Sequence, residues 1–512
     1  MMNLITKLNN LPFAGNLFIK FLSTPNINKR SQNKAINIAN QTIKYVNAYR
    51  CFLKEHNYLK YHINNFKEFK NLPIIDKHNY VNEYSLIDRS IVSKISESHS
   101  IEGTSGFSGK PTYWFRIPKE DYRTRSQFEF ALLNLAELEK HKTLFINCFA
   151  YGIWPSGERL SRLMREIAYS DKYKLTVINP GPDIEITLDV IRNFKDIFDH
   201  IIISGYPPYI KDLVDEINIQ GLHKGTPISL VVGGEGFPEN WRDYTASKLG
   251  IDLESFKIPK IFSNYGVTEL GTGTASETFL SIKIRRMCIK DEILAKDIFG
   301  NLKDAGPMLL QYNPLFFFAE EINNEIIATT SSISPLIRYN IHDLGGIISF
   351  DKMHDLLNKH GFNINEYLNK LPKTTQLLCK LPFIYIAGRS DGTVFFRGAN
   401  VYTENIKLAL LDKRIAHLHN NVFYMYISKN EKMSPILNIE IDLKENIECH
   451  AKKDTISLIS NTIFDILKKK NKEFADASKN TNYYPICVKS MDRNKLNRKS
   501  IKLQYVQKNP AP

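Results

Sequence analysis

Residues 322–345 read INNEIIATTSSISPLIRYNIHDLG, and this is the most informative segment of the chain. Its first part, 322–330, and a second apolar run at 345–350 look like strands of a β-rich subdomain within residues 277–350. Asp343 stands where the apolar run becomes polar. Its two carboxylate oxygens suit hydrogen bonds from the two hydroxyls of a ribose, and the residue equally suits an exposed turn.

Upstream of this segment, short apolar runs alternate with helical patterns. The apolar runs lie at 143–149, 175–178, 200–204, 229–232 and 258–263. An amphipathic helix is predicted over 123–138. Short strands separated by helices are typical of βαβ units and predict a largely parallel sheet.

Downstream, the pattern changes near Asp391. Two strand patterns and one helical pattern follow, at 393–397, 437–443 and 452–470. We therefore predict an α/β protein with two domains. The large N-terminal domain, residues 1–390, has mixed or parallel sheets flanked by helices and includes the β-rich subdomain. The C-terminal domain, residues 391–512, is a small α+β unit.

The composition is that of a multidomain globular protein with excess positive charge. The chain has 512 residues, of which 43% are hydrophobic and 24% charged, and its net charge is +14. Residues 451–512 contain 14 Lys or Arg and 5 Asp or Glu. This excess indicates either an anionic partner such as nucleic acid, a membrane surface, ATP or CoA, or a general compositional bias toward Lys, Asn and Ile. No nucleic-acid-binding motif accompanies it, so no nucleic-acid partner is expected.

The cysteines and the hydropathy pattern indicate the cellular compartment that we expect for the protein. Six cysteines are scattered through the chain, at Cys51, Cys148, Cys288, Cys379, Cys449 and Cys487. Without a CxxC pair or a His cluster, they argue against a zinc site and a disulfide scaffold, and they favour a cytoplasmic protein with reduced thiols. No run of 18 apolar residues occurs, so no transmembrane segment is predicted.

Residues 104–112, TSGFSGKPT, form the strongest local signal. Glycines let backbone N–H groups approach a polyphosphate, hydroxyls donate hydrogen bonds, and the lysine adds a positive charge. The spacing differs from that of a P-loop. The segment predicts a phosphate-binding loop, with a solvent-exposed turn as the alternative.

Three further motifs carry polar groups. Residues 265–269, YGVTE, bring together an aromatic ring, a hydroxyl and a carboxylate, which base stacking, phosphate binding and Mg²⁺ coordination would use. Residues 388–391, GRSD, suit a hinge. Residues 491–499, MDRNKLNRK, offer basic groups for a transferring oxygen. Each of the three also suits an ordinary structural role, namely a strand end, a hairpin turn and a solvated basic face.

Taken in this order, the motifs resemble those of the adenylate-forming enzymes, which include acyl-CoA synthetases, luciferases and the adenylation domains of peptide synthetases. Within that superfamily the chain looks most like the phenylacetate–CoA ligase branch, which contains capsule-biosynthesis adenylating proteins. Residues 322–345 are similar to the branch's "GELV-TT…PLIRY-TGDL" stretch. Residues 231–237, VVGGEGF, are similar to its "GGE" loop, and residues 149–157, FAYGIWPSG, to its "YG…GG" stretch.

The resemblance implies roles for the matching residues. The phosphate loop would consist of Thr104, Ser105, Gly106, Ser108, Gly109 and Lys110. The adenine side of the site would consist of Gly234, Glu235, Gly266 and Tyr265, whose ring would stack on the base. Thr268 would contact the α-phosphate, Glu269 would bind Mg²⁺, and Asp343 would hold the ribose.

The remaining implied roles concern the acid and the second domain. Phe149, Tyr151 and Gly152 would line the acid pocket. Arg389 would reach a ribose or phosphate, and Asp391 would be the hinge to a mobile C-terminal domain. The catalytic lysine would be Lys495, with Lys499 as the competing candidate.

These roles imply an AMP-forming acid ligase. It would use ATP and Mg²⁺ to convert a small carboxylic acid into its acyl-adenylate and pass the acyl group to CoA, to a separate carrier protein or to an amine. The chain departs from the family pattern at Phe107, His342, Gly392 and Asn494. These departures motivate one alternative, a degenerate nucleotide-binding protein with a regulatory role.

Overall fold

The computed structural model describes residues 24–104, 111–153, 155–170, 172–372, 375–376, 379–390, 393–444, 452–479, 481 and 483–491. The chain divides into two compact units. The larger comprises residues 1–104 and 113–387, and the smaller comprises residues 105–112 and 388–512. Within the described ranges, no helix is long and apolar enough to span a lipid bilayer.

The larger unit is built around an eleven-stranded mixed sheet. Its strands are β3 (Thr143–Asn147), β4 (Leu175–Ile178), β5 (His200–Gly205), β6 (Ile228–Gly233), β7 (Ile261–Val267), β8 (Gly271–Ser276), β9 (Met308–Tyr312), β10 (Phe318–Ile322), β11 (Glu325–Thr330), β12 (Leu336–Ile348) and β13 (Phe383–Arg389). They are ordered β10-β11-β12-β13-β9-β8-β7-β6-β5-β3-β4. Two earlier strands, β1 (Ser100–Thr104) and β2 (Thr112–Arg116), form a separate two-stranded sheet.

One half of the large sheet is parallel, as the alternating pattern predicted. Strands β4, β3, β5, β6 and β7 run parallel to one another. Every residue of β3 and β5 is buried. Strands that are covered on both faces need continuous apolar runs, which is why these segments could be recognised in the sequence.

Helices cover this sheet. They are α1 (Thr24–Tyr45), α2 (Asn47–Glu55), α3 (Phe66–Lys70), α4 (Pro118–Leu135), α5 (Glu158–Ala168), α6 (Ile184–Phe194), α7 (Pro207–Ile219), α8 (Glu239–Leu249), α9 (Phe279–Lys290), α10 (Glu292–Phe299), α11 (Phe350–Lys359) and α12 (Ile364–Asn369). Their starts follow familiar sequence rules. Proline occupies the first turn of α4 and of α7, where no backbone donor is needed. The Asp183 carboxylate caps α6 by accepting from Ile186 N at 2.9 Å.

The β-rich stretch differs in detail from the prediction. Residues 322–330 do not form one strand, because β10 and β11 form a hairpin that turns at Asn323 and Asn324, both in the left-handed region. Residues 345–350 are likewise not a separate strand, since β12 runs without interruption from Leu336 to Ile348. These strands extend the same sheet, and α9 and α10 occupy the first part of the stretch.

A buried group of ions holds the start of β7. Arg242 of α8 is fully buried and donates to Glu277 at 2.6 Å and to Glu239 at 2.9 Å. The same guanidinium donates to the Ile261 carbonyl at 2.6 Å, and Glu277 accepts from Ser263 N at 2.8 Å. Backbone groups of β7 are therefore fixed by a charged network as well as by strand pairing.

The smaller unit is an α+β structure with its own apolar core. Its elements are β14 (Val394–Phe396), β15 (Ala399–Val401), α13 (Thr403–Leu410), β16 (His419–Lys429), β17 (Pro435–Leu443), α14 (Lys452–Lys470), α15 (Lys472–Lys479) and β18 (Ile486–Ser490). β16 is antiparallel and β18 parallel to β17. Phe396, Ile439 and Ile463 are fully buried in the core of this unit.

Candidate functional site

Two motifs that lie 78 positions apart in sequence meet in the larger unit. The Tyr265 hydroxyl, on β7, donates a hydrogen bond of 2.6 Å to Oδ2 of Asp343, on β12. Asp343 is only 5% exposed. It lies inside a long strand, so the alternative of an exposed turn is wrong. A buried carboxylate needs polar partners, and the tyrosine supplies one of them.

His342, which departs from the family pattern, has a local explanation. Its backbone is left-handed, with φ of 63°, a conformation that glycine adopts at no cost. The imidazole Nε2 lies 3.3 Å from Asp76 Oδ2, and the backbone N–H donates to Asn340 Oδ1 at 2.8 Å. Burial raises the pKa of Asp76, but the His342 ring and two backbone N–H groups outweigh burial, and the pKa lies below its usual value. These contacts hold the backbone directly before Asp343.

Thr268 and Glu269 follow β7 in a turn that a buried arginine holds. The Arg116 guanidinium donates to the Thr268 carbonyl, and its Nε donates to Glu102 Oε2 at 2.7 Å. Arg116 and Glu102 are both buried. Glu102 lies on β1 and Arg116 on β2, the two strands that flank the predicted phosphate loop. The pair therefore links those strands to the Thr268 turn.

A second arginine lies near Glu269. Arg89 is buried, and its guanidinium carbon lies 5.1 Å from the centre of the Trp114 ring. Burial lowers the pKa of Arg89, and the nearby Tyr80, Tyr339 and Glu269 partly offset this effect. The Glu269 carboxylate therefore lies within electrostatic range of a buried positive charge. Sequence reasoning missed Glu102, Arg116 and Arg89, because a single charged residue inside an apolar segment carries no distinctive pattern.

The predicted metal ligand suits a weakly coordinated ion. Within the described part of the chain, no three His, Cys, Asp or Glu side chains are grouped closely enough to hold a metal by themselves. Mg²⁺ is commonly held through one or two carboxylates together with substrate phosphates and water. Glu269 alone therefore fits Mg²⁺ better than it fits a metal that needs a protein cage.

The predicted adenine and acid residues share one wall. Gly234 follows β6 with φ of 88°, and a Cβ there would lie 2.3 Å from Cε1 of Tyr206. Any side chain at this position would displace the Tyr206 ring. That ring packs edge-on against Phe149, with centroids 4.8 Å apart. Tyr206 thus connects the predicted adenine loop to the predicted acid pocket, and sequence reasoning did not include it.

The other predicted residues are placed as follows. Thr104 ends β1, and its buried Oγ1 has no hydrogen-bond partner among the described residues. Glu235 is half-buried and Gly266 exposed. Tyr151 is 41% exposed, and Gly152 has φ of 110°. Arg389 ends β13 and belongs to the smaller unit.

Several predictions fall outside the described residues. These are the phosphate-loop positions Ser105, Gly106, Ser108, Gly109 and Lys110, the hinge Asp391, and the lysines Lys495 and Lys499. Their roles stay predictions.

Comparison with known proteins establishes the fold. No family model and no curated protein matches the chain. Among solved structures, it is similar to a 2-hydroxyisobutyryl-CoA ligase in complex with 2-HIB-AMP and CoA. The match has a TM-score of 0.57 and 14% identity over 94% of this chain and 88% of the other. The predicted fold class is thereby confirmed, and at this identity the likeness shows the fold alone.

Two weaker likenesses carry no argument of their own. One is to an o-succinylbenzoate CoA synthetase from Bacillus subtilis, with TM-score 0.42 and 13% identity over 78% of this chain and 67% of that one. The other is to an amide bond synthetase from Marinactinospora thermotolerans, with TM-score 0.44 and 10% identity over 77% and 66%.

Proposed function

We propose that this protein uses ATP and Mg²⁺ to activate a carboxylic acid as its acyl-adenylate and then transfers the acyl group to CoA or to another thiol or amine. The observation that carries the proposal is the Tyr265–Asp343 hydrogen bond of 2.6 Å. It joins two motifs whose proposed roles, base stacking and ribose binding, require them to lie side by side. The shared fold of an acyl-CoA ligase supports the same reaction class.

The first half-reaction would proceed by displacement at phosphorus. A carboxylate oxygen of the acid forms a bond to the α-phosphorus of ATP, and the bond from that phosphorus to the bridging oxygen of pyrophosphate breaks. Both reactants are anions, so positive charge at the phosphates lowers the barrier. Mg²⁺, when bound, supplies part of that charge. Glu269 would hold it, and Thr268 would orient the α-phosphate.

Arg116 would act as a positioning residue in this reaction. It touches the Thr268 carbonyl, so this contact uses neither the threonine hydroxyl nor the Glu269 carboxylate. Because a misplaced catalytic group costs rate even when binding persists, a fixed turn benefits the chemical step in particular.

Subtype, acceptor and location belong to the proposal as well. The resemblance of residues 322–345 and 231–237 favours a phenylacetate–CoA ligase-like enzyme in the cytoplasm. Phe149, packed against Tyr206, favours an acid with an apolar body. Lys495 on the C-terminal domain, residues 391–512, would approach the reacting phosphate, with the hinge at Asp391.

ATP–pyrophosphate exchange tests the proposal directly. Purified full-length protein is assayed with Mg²⁺ across aryl, fatty, amino and hydroxy acids. We expect exchange that depends on one class of acid and stops when the metal is chelated. Tight ATP binding without exchange for any acid would instead favour the regulatory nucleotide-binding protein.

Asp343 is expected to dominate ribose affinity. Asp343→Ala removes up to two hydrogen bonds to a charged group, which corresponds to a rise in the ATP Kd of about 10- to 100-fold. Tyr265→Phe keeps the ring but loses the contact with Asp343, so a smaller rise is expected. Isothermal titration with ATP measures both, with the exposed Asp189→Ala as the charge-matched control. An unchanged Kd for Asp343→Ala would contradict the ribose assignment.

A further inference from the structure

A pocket of the larger unit borders the turn that contains Thr268 and Glu269. Arg123 and Glu120 of α4, Arg159 of α5, Glu269, and the serines Ser331 and Ser332 contribute to its lining. Among the pocket's lining residues, the proposed reaction assigns Glu269 and the positioning residue Arg116. The other lining residues of this pocket therefore have no role in the proposed reaction.

Two half-buried cations lie at or beside this pocket, and neither forms an ion pair within the described ranges. The Arg123 guanidinium donates to Ser331 Oγ at 3.3 Å and makes no ion pair with any carboxylate in the described ranges. Lys34 of α1 donates to the carbonyl of Leu315, the residue before the pocket-lining Phe316. Withdrawing a cation even partly from water without pairing it is costly, so the arrangement favours an anion.

The pKa values of Lys34, Arg123 and Glu120 agree with a shortage of negative charge at this pocket. Burial, together with the charges of Arg123 and Lys119, lowers the pKa of Lys34 to about 7. Burial also lowers the pKa of Arg123, with Glu120 opposing the effect. Glu120 itself is a weak counter-ion, because burial raises its pKa to about 7 and it is partly uncharged at neutral pH.

Three lining residues also have a buried polar atom that no described residue satisfies. They are Nη1 of Arg159, Oγ of Ser332 and Oε1 of Glu120. The Arg159 side chain is only 1% exposed, and its Nε is already engaged by Asp121 at 2.7 Å. Buried polar atoms are nearly always paired in folded proteins, so these three indicate a polar occupant.

We propose that this pocket binds a phosphate-type oxyanion, and that pyrophosphate is the one it receives when adenylation releases it. The identity of the anion rests on the proposed function, because the pocket shares Glu269 with the proposed reaction centre. The guanidinium donors of Arg123 and Arg159 and the serine hydroxyls match the several acceptor oxygens of a phosphate group. Structural water alone is the competing occupant.

Titration of the intact chain with pyrophosphate tests the site. The titration omits Mg²⁺, so that binding through a metal on Glu269 does not contribute. Arg123→Gln is expected to raise the pyrophosphate Kd by about tenfold or more, as the loss of a charged hydrogen-bond donor does. Arg125→Gln is the matched control, since it makes the same charge change two positions away on α4, where Arg125 pairs with Glu166. A rise of less than about twofold is expected there.

The results of these titrations distinguish a bound oxyanion from structural water. Inorganic phosphate is titrated in parallel, and weaker binding of phosphate than of pyrophosphate supports the assignment. Equal pyrophosphate affinity of the wild type and Arg123→Gln, or equal losses in the two variants, would overturn it. Arg123→Gln is also expected to keep or raise the thermal midpoint, because it removes a half-buried charge that has no ion-pair partner among the described residues. A lowered midpoint with unchanged anion affinity would show that Arg123 is purely structural.

Failure of this inference is distinguishable from failure of the proposed function. If exchange occurs, Arg123→Gln should raise the KM for pyrophosphate while the Kd for ATP stays the same. Exchange with an unaltered KM overturns the pocket and leaves adenylation intact. Pyrophosphate binding that depends on Arg123 in a protein without exchange would support the oxyanion site and refute the enzyme.

Discussion

Lys495→Ala is expected to reduce acid-dependent ATP–pyrophosphate exchange by about 10²- to 10³-fold, the loss that follows removal of one preorganised group facing developing charge. The proposed role of Lys495 is to approach the phosphate as charge builds up on the leaving oxygen. Such an interaction is strongest in the transition state, so ATP binding should change little. Exchange rates and ATP titration on the same preparation measure both effects.

Lys499→Ala provides the matched control for this variant. It removes the same charge four positions away, so a general loss of attraction for ATP would affect both variants equally. We expect near-normal exchange from Lys499→Ala. The opposite ranking would transfer the catalytic role to Lys499, and normal exchange from both variants would refute the assignment of this segment.

Arg242→Met is expected to lower the free energy of unfolding of the larger unit by about 3–5 kcal/mol, the cost of leaving a buried ion without its partner. Arg242 is fully buried, and its loss leaves Glu239 and Glu277 with Arg285 as their main remaining counter-ion. The three tryptophans, Trp114, Trp154 and Trp241, all belong to the larger unit. Tryptophan fluorescence during urea unfolding therefore reports on this unit specifically.

Two further variants test whether the loss of stability comes from the buried ion network. Arg192→Met removes an arginine of the half-exposed pair with Asp189 and should cost no more than about 1 kcal/mol. Adding Glu277→Gln to Arg242→Met should recover part of the loss, because one uncompensated charge disappears. A cost for Arg242→Met as small as that for Arg192→Met would mean that the network contributes little to stability.

The sequence was most informative where burial imposes a simple pattern. β4 and α14 have the predicted bounds, 175–178 and 452–470, because a short apolar strand and an amphipathic helix can both be recognised from hydrophobic spacing. The turn within 322–330 was missed, although two adjacent asparagines are typical of a left-handed hairpin turn. There, the apolar residues on both sides resembled one continuous strand.

The candidate site was predictable only in part. The side-chain chemistry of YGVTE and of Asp343 indicated a possible role from the sequence alone. Their contact depends on the tertiary structure and could not be predicted. Arg116, Tyr206 and Arg123 left no signal, because their roles depend on which distant backbone or ring they meet. Hydrophobic spacing reports how deeply a residue is buried and does not identify its neighbour.

The link from Glu102 through Arg116 to Thr268 has a consequence for how this protein tolerates change. The free energy that fixes the Thr268 turn is contributed once, when the chain folds, and would not be required again each time the proposed nucleotide binds. The affinity for the proposed nucleotide and the stability of the fold therefore depend on the same contacts, those of Arg116 with Glu102 and Thr268. Substitutions at position 102 or 116 would lower both the binding affinity and the stability of the fold. We therefore expect selection for binding to maintain the stability of the larger unit as well.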